Sequence, residues 1–110
     1  MKTRQFSTHP GNLSRIEPVD RLSPGGRYHL RRRNLSQALG AEKDDGPWQG
    51  GPPFDVEEVT IPAGKSNFPF HRHEAVWEFY WIFGGEGTAR IGDKTVSVGA
   101  GDFFQCPPGC

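Results

Sequence analysis

The clearest alternation of apolar and polar positions lies in the second half of the chain. Residues 54–56 and residues 59–61 each alternate as an extended strand does, but on opposite parity. One extra residue in a strand reverses the parity, so a β-bulge at residues 57–58 would reconcile the two segments. Residues 62–64 (Pro-Ala-Gly) then predict a turn. Regular structure is therefore expected to begin at Phe54.

The run of residues 78–83 is apolar on both faces of a predicted strand. Side chains alternate between the two faces of a strand, so Glu78, Tyr80 and Ile82 share one face. The other face carries three aromatic rings, those of Phe79, Trp81 and Phe83. Such an apolar face exceeds what a soluble monomer normally exposes. It predicts a cover, either the N-terminal segment or a second copy of the chain.

Glycine-rich turns divide the remaining C-terminal residues into short strands. Residues 84–87 predict a hairpin turn, after which residues 88–91 would pair back on the preceding strand. Residues 92–94 predict a second turn, into residues 95–98. The proline pair at 107–108 ends the last strand, because proline cannot donate to a ladder. The pattern predicts an all-β meander, arranged as a sandwich or a jelly-roll barrel.

The first half of the chain holds no sustained period of either kind. Residues 1–26 mix prolines and glycines and predict an irregular arm, and residues 41–53 predict an extended loop. Between them, Asn34 or Ser36 could cap one short helical turn that Gly40 ends. The sequence therefore predicts two parts: an irregular arm and loop over residues 1–53, and a β domain over residues 54–110.

Charge is unevenly distributed, although 13 Lys and Arg balance 13 Asp and Glu. Residues 1–50 contain nine basic and five acidic side chains, and residues 51–110 contain four and eight, so the halves carry +4 and −4. These values are too small to indicate nucleic-acid binding. The run at residues 31–33 (Arg-Arg-Arg) lacks interleaved aromatics and a helix-turn-helix pattern. A solvated face is the favoured interpretation, and no nucleic-acid partner is predicted.

The thiols and the hydropathy predict the compartment. Cys106 and Cys110 do not form a Cys-x-x-Cys metal pair, so both are interpreted as reduced thiols. A disulfide between them would need an oxidising compartment. No apolar run follows the positive N-terminus, and no segment approaches the roughly 20 apolar residues of a membrane span. We therefore expect a cytoplasmic protein with no membrane partner.

Two histidines and a carboxylate form the candidate chemistry. His71 and His73 would point the same way in an extended segment, and a following strand that folds back would bring Glu78 to them. Two imidazoles and one carboxylate suit Fe(II), and Mn, Ni, Co and Zn also accept this set. The alternative is that the histidines are partly exposed surface residues and Glu78 is an ordinary edge charge.

The spacing of these residues resembles the first conserved motif of the cupin superfamily. That motif is carried here by Gly64, His71, His73, Glu78 and Gly85, with Gly64 one residue further out than usual. Residues 101–109 (Gly-Asp-Phe-Phe-Gln-Cys-Pro-Pro-Gly) resemble the start of the second cupin motif. The resemblance covers residues 54–110, and residues 33–40 also look like small bacterial cupins of unassigned function. It implies a jelly-roll β-barrel.

The same resemblance implies a histidine after the Pro-x-Gly of the second motif, usually the fourth metal ligand, and then strands that close the barrel. The sequence ends at Cys110. We therefore expect a domain that is incomplete at its C-terminus and binds metal weakly. It is either a truncated product or a short variant that closes its sheet by another route.

The resemblance further implies a divalent metal (Fe, Mn, Ni or Zn) on His71, His73 and Glu78, with a small-molecule pocket above it. The pocket walls would be Tyr80, Ile82, Phe104 and Trp77. Cupins include enzymes and non-catalytic modules, so the resemblance does not choose a reaction. The alternatives are a small-molecule binding or sensor module without turnover and a degenerate cupin without metal. The apolar strand face adds a predicted homodimer.

Overall fold

A computed structural model describes residues 6–43, 46–67 and 76–108. Contacts divide the chain into two units, Met1–Pro69 and Phe70–Cys110. Within the described residues there are seven strands and one short α-helix, and neighbouring strands pair antiparallel. The all-β class is confirmed. In this part of the chain the strands form three small sheets and no closed barrel.

The first unit contains a three-stranded sheet in the order β1-β2-β3. The strands are β1 (Val19–Leu22), β2 (His29–Asn34) and β3 (Glu57–Thr60). β1 and β2 form a hairpin whose turn is closed by the Gly26 N–H, which donates to the Ser23 carbonyl at 2.9 Å. The expectation of an irregular arm is therefore wrong for residues 19–22 and 29–34.

These strands lack the apolar alternation that marks a strand in sequence, because charged side chains dominate β2. Arg31 lies opposite Asp20 on β1, and its Nε and Nη2 donate to the two Asp20 oxygens at 3.2 Å each. The Nε2 of His29 lies 3.3 Å from the same carboxylate. The Arg31 guanidinium, followed by His29, holds the pKa of Asp20 below its usual range. Complementary charge across the ladder accompanies backbone pairing here.

The other two arginines of the basic run face acids on β3. Arg33 lies opposite Glu58, with 3.5 Å between Nη1 and Oε1. Arg32 Nη1 lies 4.0 Å from Glu57 Oε2. Each of the three arginines is thus paired with a carboxylate of a neighbouring strand. Such partly exposed pairs contribute little energy individually, but they neutralise a run of three like charges.

The short helical turn that the sequence predicts before Gly40 is present, and it follows β2 directly. It is α1 (Leu35–Ala38), and the Asn34 side chain caps it by accepting from the Gln37 N–H at 2.7 Å. The chain leaves α1 at Gly40, whose φ of 112° lies in the region that favours glycine. A 3-10 turn at Pro47–Gln49 follows. Across the described ranges, no helix has the length and apolar character to span a membrane.

The strand expected from Phe54 begins three residues later, at Glu57. The buried Ser36 explains the difference, because its Oγ accepts from the Val56 N–H at 2.8 Å. The Val56 carbonyl accepts from the N–H groups of Leu35 and Ser36. Both backbone groups of Val56 therefore serve α1 and not a strand, and no bulge is needed.

The second unit contains two antiparallel pairs, β4 (Glu78–Trp81) with β7 (Phe103–Cys106), and β5 (Glu86–Ile91) with β6 (Lys94–Gly99). The hairpin between β5 and β6 and the end of β7 before Pro107 are as predicted. The predicted pairing of residues 88–91 with the preceding strand is wrong. β4 pairs with β7, and the β5–β6 hairpin lies between them in sequence.

A tight turn at residues 99–102 positions β7 beside β4. The Asp102 N–H donates to the Gly99 carbonyl at 3.0 Å, and the Asp102 carboxylate accepts from the Gly99 N–H at 2.7 Å. The Gly101 N–H and the Asp102 carbonyl then bond the backbone of Ile82, both at 2.8 Å. The turn therefore extends the β4–β7 ladder by one residue beyond Trp81.

Few of the described side chains are buried. Among the described residues, the buried apolar positions are Leu30 in the first unit and Cys106 in the second, each 7% exposed. With so small a core, backbone pairing and turn geometry carry more of the stability than in an ordinary domain. Single changes in a turn should therefore have measurable effects.

Removing Arg31 should raise the pKa of Asp20. Because the pKa of Asp20 is lowered on folding, its contribution to stability is present above the ordinary carboxyl pKa and is lost as pH falls through the lowered value. In Arg31→Gln the Asp20 pKa should move back towards its usual range, as measured by carbon NMR of the carboxyl group. Arg90→Gln, in the second unit, is the control. Equal Asp20 pKa values in all three proteins would contradict the assignment.

Replacing Gly101 should destabilise the second unit. Its φ of 92° is strained for any residue with a Cβ, although open space surrounds the position. Gly101→Ala should therefore lower the free energy of unfolding by about 1–2 kcal/mol. Gly84→Ala is matched, since Gly84 also faces open space but has no positive φ. Urea unfolding followed by tryptophan fluorescence compares the two, and equal losses would show that the backbone of the turn is not the cause.

Candidate functional site

The β4–β7 pair positions Glu78, the candidate ligand that the structure describes. The register places Glu78 opposite Cys106 and Tyr80 opposite Phe104. Residues directly opposite each other in an antiparallel pair project to the same side of the sheet. These four side chains, with Ile82 by the same alternation, form the Glu78 face.

Burial separates the two faces. On the Glu78 face Cys106 is buried, Glu78, Ile82 and Phe104 are half-buried, and Tyr80 is 37% exposed. The opposite face, here called the aromatic face, is much more open. Its rings are Phe79, Trp81, Phe83 and Phe103, which are 62%, 58%, 76% and 67% exposed. The alternation predicted along residues 78–83 is present, with the carboxylate on the more protected side.

Glu78 is held by Tyr80. The Tyr80 hydroxyl donates a hydrogen bond to Oε2 of Glu78. The Tyr80 ring in turn stacks on Phe104, with ring centroids 4.8 Å apart and an interplanar angle of 17°. Stacking restricts the ring, and the restricted ring orients the hydroxyl. The carboxylate therefore has an oriented hydrogen-bond donor two residues along its own strand.

The remaining predicted site residues divide into three groups. Tyr80, Ile82 and Phe104, predicted as pocket walls, lie on the Glu78 face. Trp77 lies just before β4 and is 60% exposed. His71 and His73 lie outside the described residues. Three of the four predicted wall residues therefore share a strand face with the carboxylate.

The described residues contain no group of three or more His, Cys, Asp or Glu side chains that could hold a metal ion. Glu78 itself fits the role of a ligand. Carboxylates that bind metal are usually hydrogen-bonded by an outer partner, and the Tyr80 hydroxyl is such a partner. The chemistry of two imidazoles and this carboxylate suits a divalent transition metal.

Sequence reasoning missed Cys106. It treated the residue as an ordinary thiol, whereas the structure makes it the most buried side chain of the Glu78 face and the cross-strand neighbour of Glu78. Within the described residues it is in no disulfide. The available signal was parity: if Phe104 faces the pocket, Cys106 does too. That signal could be used only once β7 was known to be the partner of β4, because this pairing puts Cys106 opposite Glu78.

The aromatic face is continuous. Phe79 and Phe103 have ring centroids 6.1 Å apart, and Trp81 and Phe83 have ring centroids 5.0 Å apart. Trp81 lies directly opposite Phe103 in the register, which links the two pairs. Phe103 was not among the outward aromatics predicted from the sequence. It enlarges the apolar surface by one ring.

Comparison with known proteins gives a family for this part of the chain. Residues 57–110 match the family model described as "Cupin domain". The matched range includes β3 to β7 and therefore the whole Glu78 face. No curated protein and no solved structure matched the chain.

Proposed function

Since the chain belongs to the cupin superfamily through residues 57–110, we propose that it binds a divalent metal through His71, His73 and Glu78. The observation that carries the proposal is the position of Glu78, half-buried on the more protected face and hydrogen-bonded by Tyr80. When bound, such a metal supplies Lewis-acid chemistry or activates a bound small molecule. The two histidines enter through their spacing in the sequence.

A small-molecule ligand would lie over the same face. Tyr80, Phe104 and Ile82 give it an apolar wall, and the Tyr80 hydroxyl and the Glu78 carboxylate give it polar groups. A mostly apolar surface with a few converging polar groups is typical of ligand sites. The side chains of this face bind and orient the ligand, and the stacked Tyr80–Phe104 pair keeps water from one side of it. A reduced Cys106 thiol, as the sequence predicts, would accord with a reducing, cytoplasmic location.

Metal binding tests the proposal directly. The purified chain should bind Zn, Mn, Ni or Fe(II) at one equivalent, measured by titration calorimetry and elemental analysis. Tyr80→Phe removes the outer hydrogen bond and should weaken affinity roughly 10–100-fold. Glu78→Gln and His73→Ala remove ligands, so each should weaken affinity more than Tyr80→Phe does.

Glu86→Gln is the matched control, since Glu86 is an exposed carboxylate of the same unit at the start of β5. It should bind metal like the unaltered chain. Absence of stoichiometric metal in the unaltered chain would defeat the proposal. Equal affinities of Glu78→Gln and Glu86→Gln would remove Glu78 from the ligand set.

We further propose that the protein is a homodimer through the aromatic face. Aromatic residues bury about 150–250 Å² each, so these four rings, on average two-thirds exposed, present about 400–650 Å² of apolar surface. A standard interface buries about 800 Å² per partner. The face therefore supplies most of the core of such an interface. A symmetric dimer would pack it against itself.

A charge in the centre of this face should abolish the dimer. Trp81→Glu should give a monomer by light scattering at tens of micromolar, because burial of a carboxylate between apolar rings is unfavourable. Trp48→Glu is the control: Trp48 belongs to the first unit and is 96% exposed, so it should leave the dimer intact. A monodisperse monomer of the unaltered chain would contradict the prediction.

A further inference from the structure

We propose that Cys106 is a metal ligand and acts together with Glu78. The inference deepens the proposed function and rests on it, since it concerns the same metal. It adds a sulfur donor to a site otherwise made of nitrogen and oxygen. Its basis is the pair formed by Glu78 and Cys106 on one face of the β4–β7 ladder.

The register of β4 and β7 places Glu78 and Cys106 side by side. Glu78 and Cys106 are directly opposite, so their Cβ atoms are roughly 4.5–5.5 Å apart and project to the same side. A transition metal binds sulfur at about 2.3 Å and carboxylate oxygen at about 2.0–2.2 Å. Two ligand atoms on one ion therefore lie less than about 4.5 Å apart. Side chains on Cβ atoms this close together are within reach of one ion.

The Cys106 thiol is protected from solvent. Cys106 is 7% exposed, whereas its strand neighbour Gln105 is exposed and Phe103 is 67% exposed. The side chain is therefore directed to the Glu78 side and away from solvent. Pro107 ends the strand immediately afterwards, so Cys106 is the last residue of β7. The thiol lies at the end of the ladder where β4 begins, beside Glu78.

A cysteine thiolate would change which metals the site prefers. The thiolate is the form that binds metal, so the Cys106 thiol proton leaves to solvent as the sulfur–metal bond forms, with no change in oxidation state. A soft thiolate favours Zn, Co and Fe over Mn and Mg, which prefer oxygen. Cys106 therefore determines which metal the site retains. A site of His71, His73 and Glu78 alone would discriminate less.

The test adds Co(II) to the full chain in the absence of oxygen. Cobalt is the probe because its absorption spectrum depends on the ligands that bind it. A cobalt–thiolate bond gives an intense near-ultraviolet charge-transfer band, and ligand-field bands in the visible report any bound cobalt. The unaltered chain should show both. Ligand-field bands without the charge-transfer band would overturn the role of Cys106 and leave the proposed metal site standing. Absence of both would overturn both.

The second cysteine provides the matched control. Cys110→Ser should keep the charge-transfer band, and Cys106→Ser should lose it while retaining visible bands at one equivalent of cobalt. The Cys110→Ser protein alone decides the assignment if Cys106→Ser does not fold, because Cys106 is then its single thiol. Loss of the band in Cys110→Ser would overturn the proposal. The ratio of Zn to Mn affinity should also fall in Cys106→Ser.

Discussion

The antiparallel register of β4 and β7 is the constraint on which the second unit depends. It is set where the turn at residues 99–102 bonds the backbone of Ile82 through the Gly101 N–H and the Asp102 carbonyl. From that point the ladder runs back to Glu78 opposite Cys106. A slip of one residue would move every side chain of a strand to the other face. Glu78 would then oppose an outward position, and the carboxylate and the thiol would separate.

The first unit is stabilised differently. β2 carries three successive arginines, and burial cannot account for such a strand. Instead Asp20 on β1 and Glu57 and Glu58 on β3 supply opposite charge on both sides. The pairs are individually weak and screened by salt, so their main effect is to remove repulsion that would otherwise oppose the sheet. α1 is also connected to the residues before β3, because the Val56 N–H donates a hydrogen bond to Ser36 Oγ.

Structural features that depend on neighbouring residues could be predicted from the sequence, whereas strand pairings between distant residues could not. The short helical turn before Gly40, the hairpin at Gly92 and the end of β7 before Pro107 each depend on a few neighbouring residues, and each is as predicted. The partner of β4 depends on contacts 22–28 residues away, and the sequence pattern assigned it to the nearest strand. β1 and β2 were missed because paired charges, and not apolar alternation, accompany their ladder.

The candidate site shows the same division. The alternation of Glu78, Tyr80 and Ile82 against the aromatic residues required only the period of a strand. The hydrogen bond from Tyr80 to Glu78 could be found only from the side-chain geometry, and the position of Cys106 only from the pairing of β4 with β7.

The two faces of the β4–β7 pair also differ in what stabilises them. The aromatic face gains free energy by excluding water over a wide area, whereas the Glu78 face must retain a carboxylate whose charge needs compensation once it is protected from water. A hydroxyl donor supplies part of that compensation. A bound cation would add to it, which is a physical reason to look for the metal on this side of the β4–β7 pair.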